Sequence, residues 1–466
     1  MSELRLTLRR VADAVRGRIT SGDPEAEVGN VVTDTRTLQA GDFLVALRGP
    51  RFDAHDFVAD AIAKGASGAI VEGGRSPRAE AGAGIVEVED TLRALQDLAH
   101  AVRVEAGTKV VAIKGSAGKT TTKEAIAELL STRFRVVKNK GNLNNHIGLP
   151  ISLMQLRRRP DVAVMELGMN HAGEISTLVA IAEPDVRVWT NVGDAHLGFF
   201  ASPDAIADAK AEILERAGRD QVLVCNADDA RVMARVGGFA GRTLTFGTAD
   251  GATVRAADVE DRGVEGMRAR MRTPAGERVI ETPLLGRGNL SNVLAAAAVA
   301  LDSGIALDEI VAATARLQPA DRRGAVRRLR DRITLVDDSY NSSPSALRRA
   351  LEVVASDRDA SRKVAVLGEM LELGEHATRL HEESGRAAAD SGVSVLFTIG
   401  GAPARVMADA AIAAGMPGSA VTHFDKSDAA ASVIAAAVHA GDLVLVKGSR
   451  GTRTDVVADR IAAEFA

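Results

Sequence analysis

A glycine-containing loop at residues 115–121 carries the clearest chemical pattern in the chain. It reads GSAGKTT, follows the apolar run VVAI at 110–113 and precedes a helix-length segment at 123–130. Backbone N–H groups in such a loop converge on phosphate oxygens, and the dipole of the following helix adds favourable potential. Its lysine supplies a positive charge, and the next hydroxyl can hold Mg²⁺. The pattern predicts ATP or GTP binding by Gly115, Ser116, Ala117, Gly118, Lys119, Thr120 and Thr121.

The loop departs from the longer pattern G-x-x-x-x-G-K-[ST], because Ile113 stands six positions before Lys119. The alternative is an ordinary glycine-rich turn between a strand and a helix. Its position after a buried strand and before a helix favours nucleotide binding.

Two further segments place candidate metal ligands after apolar runs. Glu166 follows the run at 162–165, and the segment TNVGDAH places Asp194 and His196 after the run at 186–190. Open α/β sheets bind ligands at the carboxyl ends of their strands, and carboxylates are hard ligands that suit Mg²⁺. We expect Glu166, with His196 or Asp194, to reach the nucleotide site. For each of them, a solvated loop residue is the alternative.

Two amide-rich segments and one lysine carry weaker signals. The segments GNLNNHIGLP at 141–150 and GRGNLSN at 286–292 suit hydrogen bonding to an uncharged ligand, although each is equally typical of a capped turn. Amides that open a helix could also recognise the edge of an adenine. For Lys210, spacing alone favours a solvated helix face.

The apolar runs indicate an α/β protein of three domains. Short runs at 28–33, 42–47, 69–72 and 85–88 alternate with helical stretches, as in a small α/β domain. Further runs at 110–113, 162–165, 186–190 and 222–225 are unbroken, which is typical of a mostly parallel sheet covered on both faces. A basic segment at 319–330 precedes further runs at 333–336, 364–367, 395–399 and 443–446. We predict domains at 1–107, 108–320 and 321–466.

Composition excludes several classes of protein. With 466 residues the chain has about three domains' worth of length, since a domain takes roughly 150 residues. Its net charge of -4 gives no global positive field for nucleic acid, and its 46% hydrophobic content is too high for a disordered chain. Cys225 is the only cysteine, the start lacks a signal-peptide pattern, and no apolar run reaches membrane-spanning length. We expect a cytoplasmic monomer with no nucleic-acid partner and no membrane span.

Taken together, these segments resemble the Mur ligase family, the ATP-dependent amide ligases of peptidoglycan precursor synthesis. The similarity covers essentially the whole chain and rests on GSAGKTTTKE, KGNLNNHIGLP, MELGMNHAGEI and NVGDAHLGFF. Further segments resemble the branch that adds D-alanyl-D-alanine, namely DTRTLQAGDFLVAL with GPRFDAHDF, DDSYNSSPSALRRAL, VLGEMLELGEHATRLHE and LVKGSRGTR. The resemblance implies joining of D-alanyl-D-alanine to UDP-N-acetylmuramoyl-tripeptide through an acyl phosphate. It also implies a UDP-binding first domain, a central ATPase domain and a Rossmann-like third domain.

The resemblance also assigns roles to residues of the nucleotide and metal sites. Lys119 would bind the β- and γ-phosphates of ATP. Lys210 occupies the place of the lysine that family members carbamylate. The ligands implied for Mg²⁺, of which two ions are expected, are Thr120, Glu166, His196 and Lys210. The residues implied to contact the rest of the nucleotide, some only when the third domain closes, are Asn289, Asn292, Arg323, Asp338 and Asn341.

Substrate contacts are implied in the same way. The residues expected to line the UDP pocket are Thr35, Arg36, Phe52, Asp53 and His55. Asn142 and Asn145 of the amide-rich loop are further candidates for substrate binding. Lys447 and Arg450 would meet the incoming dipeptide or a phosphate charge.

Two positions depart from the family pattern. Family members of this branch usually show AHLE in the histidine segment, whereas Gly198 stands here in the place of the glutamate. The basic segment at 319–330, which links the second and third predicted domains, usually reads closer to PGRG in the family. In PADRRG either Arg322 or Arg323 is therefore a candidate for the nucleotide contact.

Two other functions remain open on the sequence. One is another ligase of the same architecture, acting at an earlier peptidoglycan step or in folylpolyglutamate synthesis, although a folate ligase would not need the DTRT and FDAH segments. The other is a non-catalytic, nucleotide-gated binding module. Such a module would not need Glu166, His196 and Lys210 beside an intact GKT loop.

Overall fold

Three β-sheets with flanking helices make up the structure, which confirms the predicted α/β class. The computed structural model describes residues 3–75, 82–194 and 197–466. Within it the chain divides into two compact units. The first comprises Met1–Ala112, Phe134–Arg187 and Glu215–Gln221, and the second comprises Ile113–Arg133, Val188–Leu214 and Val222–Ala466. The predicted domain boundaries near 107 and 320 stay predictions.

The first sheet has five strands in the order β1-β5-β4-β3-β2. Its neighbours pair in parallel except β1, which is antiparallel to β5. The strands are β1 (Arg18–Ser21), β2 (Val31–Val32), β3 (Phe43–Val45), β4 (Gly68–Glu72) and β5 (Gly84–Val88). The helices of this region are α1 (Leu8–Val15), α2 (Val58–Ala63) and α3 (Thr91–Ala106).

Local sequence sets the ends of α3. The Asp90 carboxylate caps the helix by accepting from the N–H groups of Leu92 and Arg93. Gly107 ends it in the left-handed conformation, at a φ of 66°. Its buried side chains include Leu95, Leu98 and Val102, which share one helix face.

The second sheet has nine strands in the order β14-β13-β12-β11-β10-β9-β6-β8-β7. They are β6 (Lys109–Lys114), β7 (Val136–Lys138), β8 (Val162–Glu166), β9 (Val186–Trp189), β10 (Val222–Asn226), β11 (Arg242–Gly247), β12 (Val254–Asp261), β13 (Met267–Thr273) and β14 (Gly276–Thr282). The helices are α4 (Lys119–Leu130), α5 (Gly148–Leu153), α6 (Glu174–Ala182), α7 (Pro203–Ala211), α8 (Ala230–Met233), α9 (Gly286–Asp302) and α10 (Leu307–Thr314). As predicted, β8, β9 and β10 are buried along their whole length.

The antiparallel end of this sheet, β12 to β14, is absent from our sequence-based expectation. Its signal is nevertheless present in β13, which reads MRARMRT. Met267, Ala269 and Met271 are buried, and they alternate with exposed Arg268 and Arg270. This period of two is that of a half-buried strand, in contrast to the unbroken apolar runs of the parallel strands.

The third sheet has six strands in the order β15-β16-β20-β17-β18-β19, parallel except for β15. They are β15 (Ala325–Arg328), β16 (Thr334–Asp338), β17 (Arg362–Gly368), β18 (Val395–Ile399), β19 (Val421–Phe424) and β20 (Asp442–Lys447). The helices are α11 (Pro344–Ser356), α12 (Ala377–Asp390), α13 (Ala402–Ala413), α14 (Ser427–Ala436) and α15 (Asp455–Glu464). Because β20 lies between β16 and β17, the loops after these three strands meet at one edge of the sheet.

No helix in the described parts of the chain is both long and apolar enough to cross a membrane.

Candidate functional site

The predicted phosphate loop joins β6 to α4. Gly118 is the N-cap of α4 at a φ of 79°, and no side chain caps the helix. A Cβ on Gly118 would lie 2.3 Å from Asn292 Oδ1, and one on Gly115 would lie 1.9 Å from Thr190 Oγ1. Both positions therefore exclude side chains, which is how glycine lets a backbone pass close to its neighbours.

Residues that follow β9 hold the loop in shape. Asn191 Oδ1 accepts from Ala117 N at 2.9 Å, and both Asn191 Nδ2 and Thr190 Oγ1 donate to Ala117 O. The Ser116 hydroxyl bonds to the backbone of Gly193, donating to its carbonyl and accepting from its N–H. Sequence reasoning missed Thr190 and Asn191, although both lie in the TNVGDAH segment.

Lys119 lies folded over the phosphate loop. Its Nζ donates to Gly115 O at 2.9 Å and to Ser116 O at 3.3 Å. The ammonium group thus stands within the loop whose N–H groups are expected to meet phosphate.

Lys210 is buried in the second unit, near the end of α7. Its side chain is 0% exposed, and its Nζ has no hydrogen-bond partner among the described residues. Burial, with a smaller effect of the charge on Lys119, lowers the pKa of Lys210 to about 7. The solvated helix face that spacing favours is therefore wrong for this residue.

The two candidate adenine-side amides occupy the first turns of α9. Asn292 Nδ2 donates to Asn289 Oδ1 at 3.1 Å, and Asn289 Nδ2 donates to Leu285 O. Asn292 is buried and is the residue that a side chain at Gly118 would strike. The structure thus brings α9 to the start of α4, within one unit.

Glu166 ends β8 in the first unit, where it is 4% exposed. Asn144 Nδ2 donates to its Oε1 at 2.9 Å, and Asn139 bonds to both its backbone N–H and its carbonyl. Sequence reasoning selected Asn142 and Asn145 instead. Asn145 caps the turn before α5 by accepting from Ile147 N and Gly148 N, which matches the capped-turn alternative.

Two other candidates, Asn142 for substrate and His196 for metal, differ in what can be said of them. Asn142 is exposed, and His196 lies outside the described residues. Among the residues that the structure describes, no three His, Cys, Asp or Glu side chains are grouped as metal ligands.

Asp53 and His55 form a closed network in the first unit. His55 Nδ1 lies 2.6 Å from Asp53 Oδ1, and its Nε2 accepts from Glu72 N, so the ring proton belongs on Nδ1. The His55 side chain is 1% exposed, and Arg75 also donates to Asp53 at 2.6 Å. Burial alone would raise the pKa of Asp53, but the hydrogen bonds from His55 and Arg75 hold it below its usual range. Both ring nitrogens of His55 are thus used inside the protein.

The other three candidates for the UDP pocket are more accessible. Phe52 is 76% exposed, and Thr35 is partly buried. Arg36 donates to both carboxylate oxygens of Asp34, which lowers the pKa of Asp34 to about 2.

In the linker the structure distinguishes Arg322 from Arg323. Arg322 donates to Asp459 Oδ2 at 2.9 Å and lies 3.8 Å from Asp337. Arg323 instead lies over the ring of Tyr340, with its guanidinium carbon 4.2 Å from the ring centroid. It forms no ion pair with any residue in the described ranges, so its charge is not neutralised.

Lys447 is 3% exposed at the end of β20. Its Nζ donates to Asp338 Oδ2 at 2.6 Å and to Asn341 O at 3.1 Å. The buried lysine and Asp338 therefore neutralise each other and tie β20 to the loop after β16. Arg450 is exposed and donates to the Tyr340 hydroxyl at 3.3 Å.

Gly198 contacts the loop that follows β17. Its N–H donates to Glu372 O at 3.0 Å, and a Cβ there would lie 2.9 Å from that oxygen and 3.0 Å from Gly374 N. The glutamate usual in the family does not fit this arrangement.

Three family models match the chain. Their descriptions are Mur ligase family, catalytic domain, at 27–103, Mur ligase middle domain at 113–300, and Mur ligase, glutamate ligase domain, at 322–450. The UDP-N-acetylmuramoyl-tripeptide–D-alanyl-D-alanine ligase of Bacillus subtilis is 32% identical over 460 residues, covering 98% of this chain and 99% of that protein.

Solved structures show the same similarity. The chain matches a crystal structure of MurF from Acinetobacter baumannii with a TM-score of 0.88 at 31% identity, covering 99% of this chain and 100% of that one. It matches MurF ligase from Thermotoga maritima, solved in complex with ADP, with a TM-score of 0.82 at 29% identity, covering 94% and 98%.

Proposed function

Because the chain belongs to the Mur ligase family, we propose that it joins D-alanyl-D-alanine to UDP-N-acetylmuramoyl-tripeptide, converting ATP to ADP and phosphate. The observation that carries this proposal is a phosphate loop whose glycines, amides and lysine are held in place, within a chain that matches such ligases over nearly its full length. A cytoplasmic location accords with its single, buried cysteine, Cys225.

The proposed reaction has two steps. The terminal carboxylate of the tripeptide attacks the γ-phosphorus of ATP, which forms an acyl phosphate and releases ADP. The amine of the dipeptide then attacks the acyl carbon, the C–O bond to phosphate breaks, and the amine loses a proton. A free carboxylate is a poor electrophile, and phosphorylation gives it a leaving group. The protein's task is mainly to position the reacting groups and to neutralise their charge.

We propose that the loop at 115–121 binds the phosphates of ATP. The Lys119 ammonium, which bonds to two loop carbonyls, would exchange them for β- and γ-phosphate oxygens. Asn289 and Asn292 are proposed to lie beside the adenine. Arg323, Asp338 and Asn341 are proposed to contact the nucleotide. Asp338 also accepts a hydrogen bond from Lys447.

The proposed Mg²⁺ ligands are Thr120, Glu166, His196 and Lys210. An ammonium group cannot bind a cation, but the Lys210 amine fits the site because it is buried and is uncharged above about pH 7. Addition of CO₂ to this amine forms an N–C bond, releases one proton and leaves a carboxylate-like oxygen donor. Bound Mg²⁺ would supply charge neutralisation for the transferred phosphoryl group.

For the UDP end of the substrate we propose contacts from Phe52, Thr35 and Arg36. Asp53 and His55 are better explained as the support of that loop, because their hydrogen bonds are all made within the first unit. An exposed phenylalanine suits stacking on a pyrimidine ring.

The function is tested by an assay that supplies ATP, the UDP-linked tripeptide and a series of amines. We expect phosphate release and a new peptide bond with D-alanyl-D-alanine, and neither with glutamate or single amino acids. Phosphate release with glutamate on a folate substrate would point to the folylpolyglutamate alternative. Nucleotide binding without any product would point to a binding module.

Replacing Lys119 tests the site within that assay. We expect Lys119→Ala to lower substrate-dependent phosphate release at least about 100-fold, because an electrostatic contact to the transferred group is lost. Lys64→Ala, which removes an exposed lysine elsewhere, is the control and should match the wild type. Near-normal turnover of Lys119→Ala would contradict the assignment.

A further inference from the structure

Tyr340, the only tyrosine of the chain, contacts two arginines from different segments. The guanidinium carbon of Arg323, from the linker, lies 4.2 Å from its ring centroid. That of Arg450, from the loop after β20, lies 5.4 Å from the same centroid, and Arg450 also donates to the Tyr340 hydroxyl at 3.3 Å. The Tyr340 side chain thus contacts both cations. Its ring contacts Arg323 and Arg450, and its hydroxyl also accepts from Arg450.

No carboxylate among the described residues neutralises either arginine. In the parts of the chain that the structure covers, neither Arg323 nor Arg450 forms an ion pair, whereas Arg322 pairs with Asp459 and Lys447 pairs with Asp338. Since both contact one ring, the two guanidinium groups lie within about 10 Å of each other, close enough to repel at ordinary ionic strength. Tyr340 offsets that repulsion by a cation–π contact and a hydrogen bond.

We propose that Tyr340 is a positioning residue that holds Arg323 and Arg450 as a pair for the phosphoryl oxygens of the bound nucleotide. The inference rests on the proposed function and assigns Arg450 to phosphate, not to the dipeptide. Two unneutralised guanidinium groups match a multiply charged phosphate chain, while the single carboxylate of a dipeptide would leave one of them unpaired. Lys447 cannot take this role because it is buried and already paired.

The test compares Tyr340→Phe with Tyr340→Leu in the full-length protein. The phenylalanine variant keeps the ring for Arg323 and loses only the oxygen that accepts from Arg450. The readouts are the dissociation constant of ADP, measured by calorimetry, and the KM values for ATP and for the dipeptide. We expect weaker ADP binding by about three-fold for Tyr340→Phe and about ten-fold for Tyr340→Leu. The dipeptide KM should stay within about two-fold of the wild-type value.

A double-mutant cycle separates positioning from a general structural effect. Tyr340→Phe combined with Arg450→Ala should bind ADP no more weakly than Arg450→Ala alone, because the lost hydrogen bond is the same. Combined with Arg323→Ala, the effect of Tyr340→Phe should add. Arg348→Ala removes an exposed arginine of α11 and should leave ADP binding unchanged.

Unchanged ADP binding in both tyrosine variants would overturn the proposal, as would a rise in the dipeptide KM alone. Tyr340→Phe keeps the test decisive if Tyr340→Leu does not fold. The ADP measurements need no turnover, so they judge this inference even if the wild-type protein forms no peptide bond. A wild-type protein that forms no peptide bond would overturn the proposed function and leave this inference to be judged by the ADP measurements.

Discussion

At the residue scale, Lys210 combines complete burial with a charge that it can lose near neutral pH. Its amine has no hydrogen-bond partner among the described residues, and Lys119 adds a like charge. A protonated amine there is costly, because burial disfavours the charged form. The same burial that makes the residue a poor salt-bridge partner favours its neutral amine, the form that the proposed reaction with CO₂ requires.

This burial makes a pH-dependent contribution to stability. The folded-state pKa of about 7 lies below the ordinary lysine value of 10.5, so the unfolded chain binds more protons between these two pH values. Stability is therefore lowest below pH 7 and rises with pH through this window, by at most about 5 kcal/mol. In CO₂-depleted buffer, we expect Lys210→Met to be more stable than the wild type at pH 6, with the advantage declining toward pH 10.

Thermal or urea unfolding at pH 6, 8 and 10 checks this prediction. Lys64→Met replaces an exposed lysine and should show no such dependence. A stability difference between Lys210→Met and the wild type that is constant with pH would contradict a buried, uncharged amine.

At the scale of elements, loops that follow strands carry many of the candidate site residues. The turn after β6 is shaped by Thr190 and Asn191, which follow β9, and by Asn292 of α9. In the third sheet, Lys447 at the end of β20 bonds to the loop after β16. Side chains that seem independent along the sequence therefore act as pairs across neighbouring strands.

Gly198 and Gly374 are in contact through their backbones. A Cβ on either would lie 2.9 Å from backbone atoms of the opposite loop. We expect Gly198→Ala to weaken ADP binding about two-fold and Gly198→Glu at least about ten-fold, because a larger side chain must push the loop at 372–374 away.

Calorimetric titration of ADP into both variants measures this effect. Gly218→Ala, at a glycine whose added Cβ would meet nothing within 4 Å, is the matched control. Wild-type ADP affinity in Gly198→Glu would show that the contact between the two loops has no part in nucleotide binding.

At the scale of the whole molecule, the first compact unit combines the first sheet with residues 134–187. Arg103 of α3 donates to the carbonyls of Ala182 and Glu183. The Arg157 guanidinium donates to the carbonyls of Leu4, Val28 and Gly29. Burial lowers the pKa of Arg157, yet these carbonyls accept from each of its three nitrogens.

Removing the Arg157 guanidinium tests how much its hydrogen bonds contribute to the stability of the protein. We expect Arg157→Met to lower the free energy of unfolding by about 2–4 kcal/mol, because three buried or partly buried carbonyls lose their donor. Arg158→Met, at the neighbouring and exposed arginine, should change it by less than about 0.5 kcal/mol. Urea unfolding of both variants provides the measurement, and equal stabilities would contradict the role of Arg157.

Patterns that depend on near neighbours in the chain were predictable. The unbroken apolar runs predicted the parallel strands β6, β8, β9 and β10, because strands buried on both faces need apolar residues at every position. The GKT loop predicted a turn between a strand and a helix for the same local reason. Short or half-polar strands such as β7 and β13 were not predicted, because their stability comes from their neighbours in the sheet.

The sequence by itself thus determined the α/β class, the phosphate loop and the family. Only the tertiary structure decided that Lys210 is buried, that Asn144 and not Asn142 or Asn145 bonds to Glu166, and that Arg322, unlike Arg323, forms an ion pair within the described part of the chain. The physical reason is that burial and pairing depend on groups distant in sequence. Spacing along one helix or loop shows which face a residue occupies, but not what covers that face.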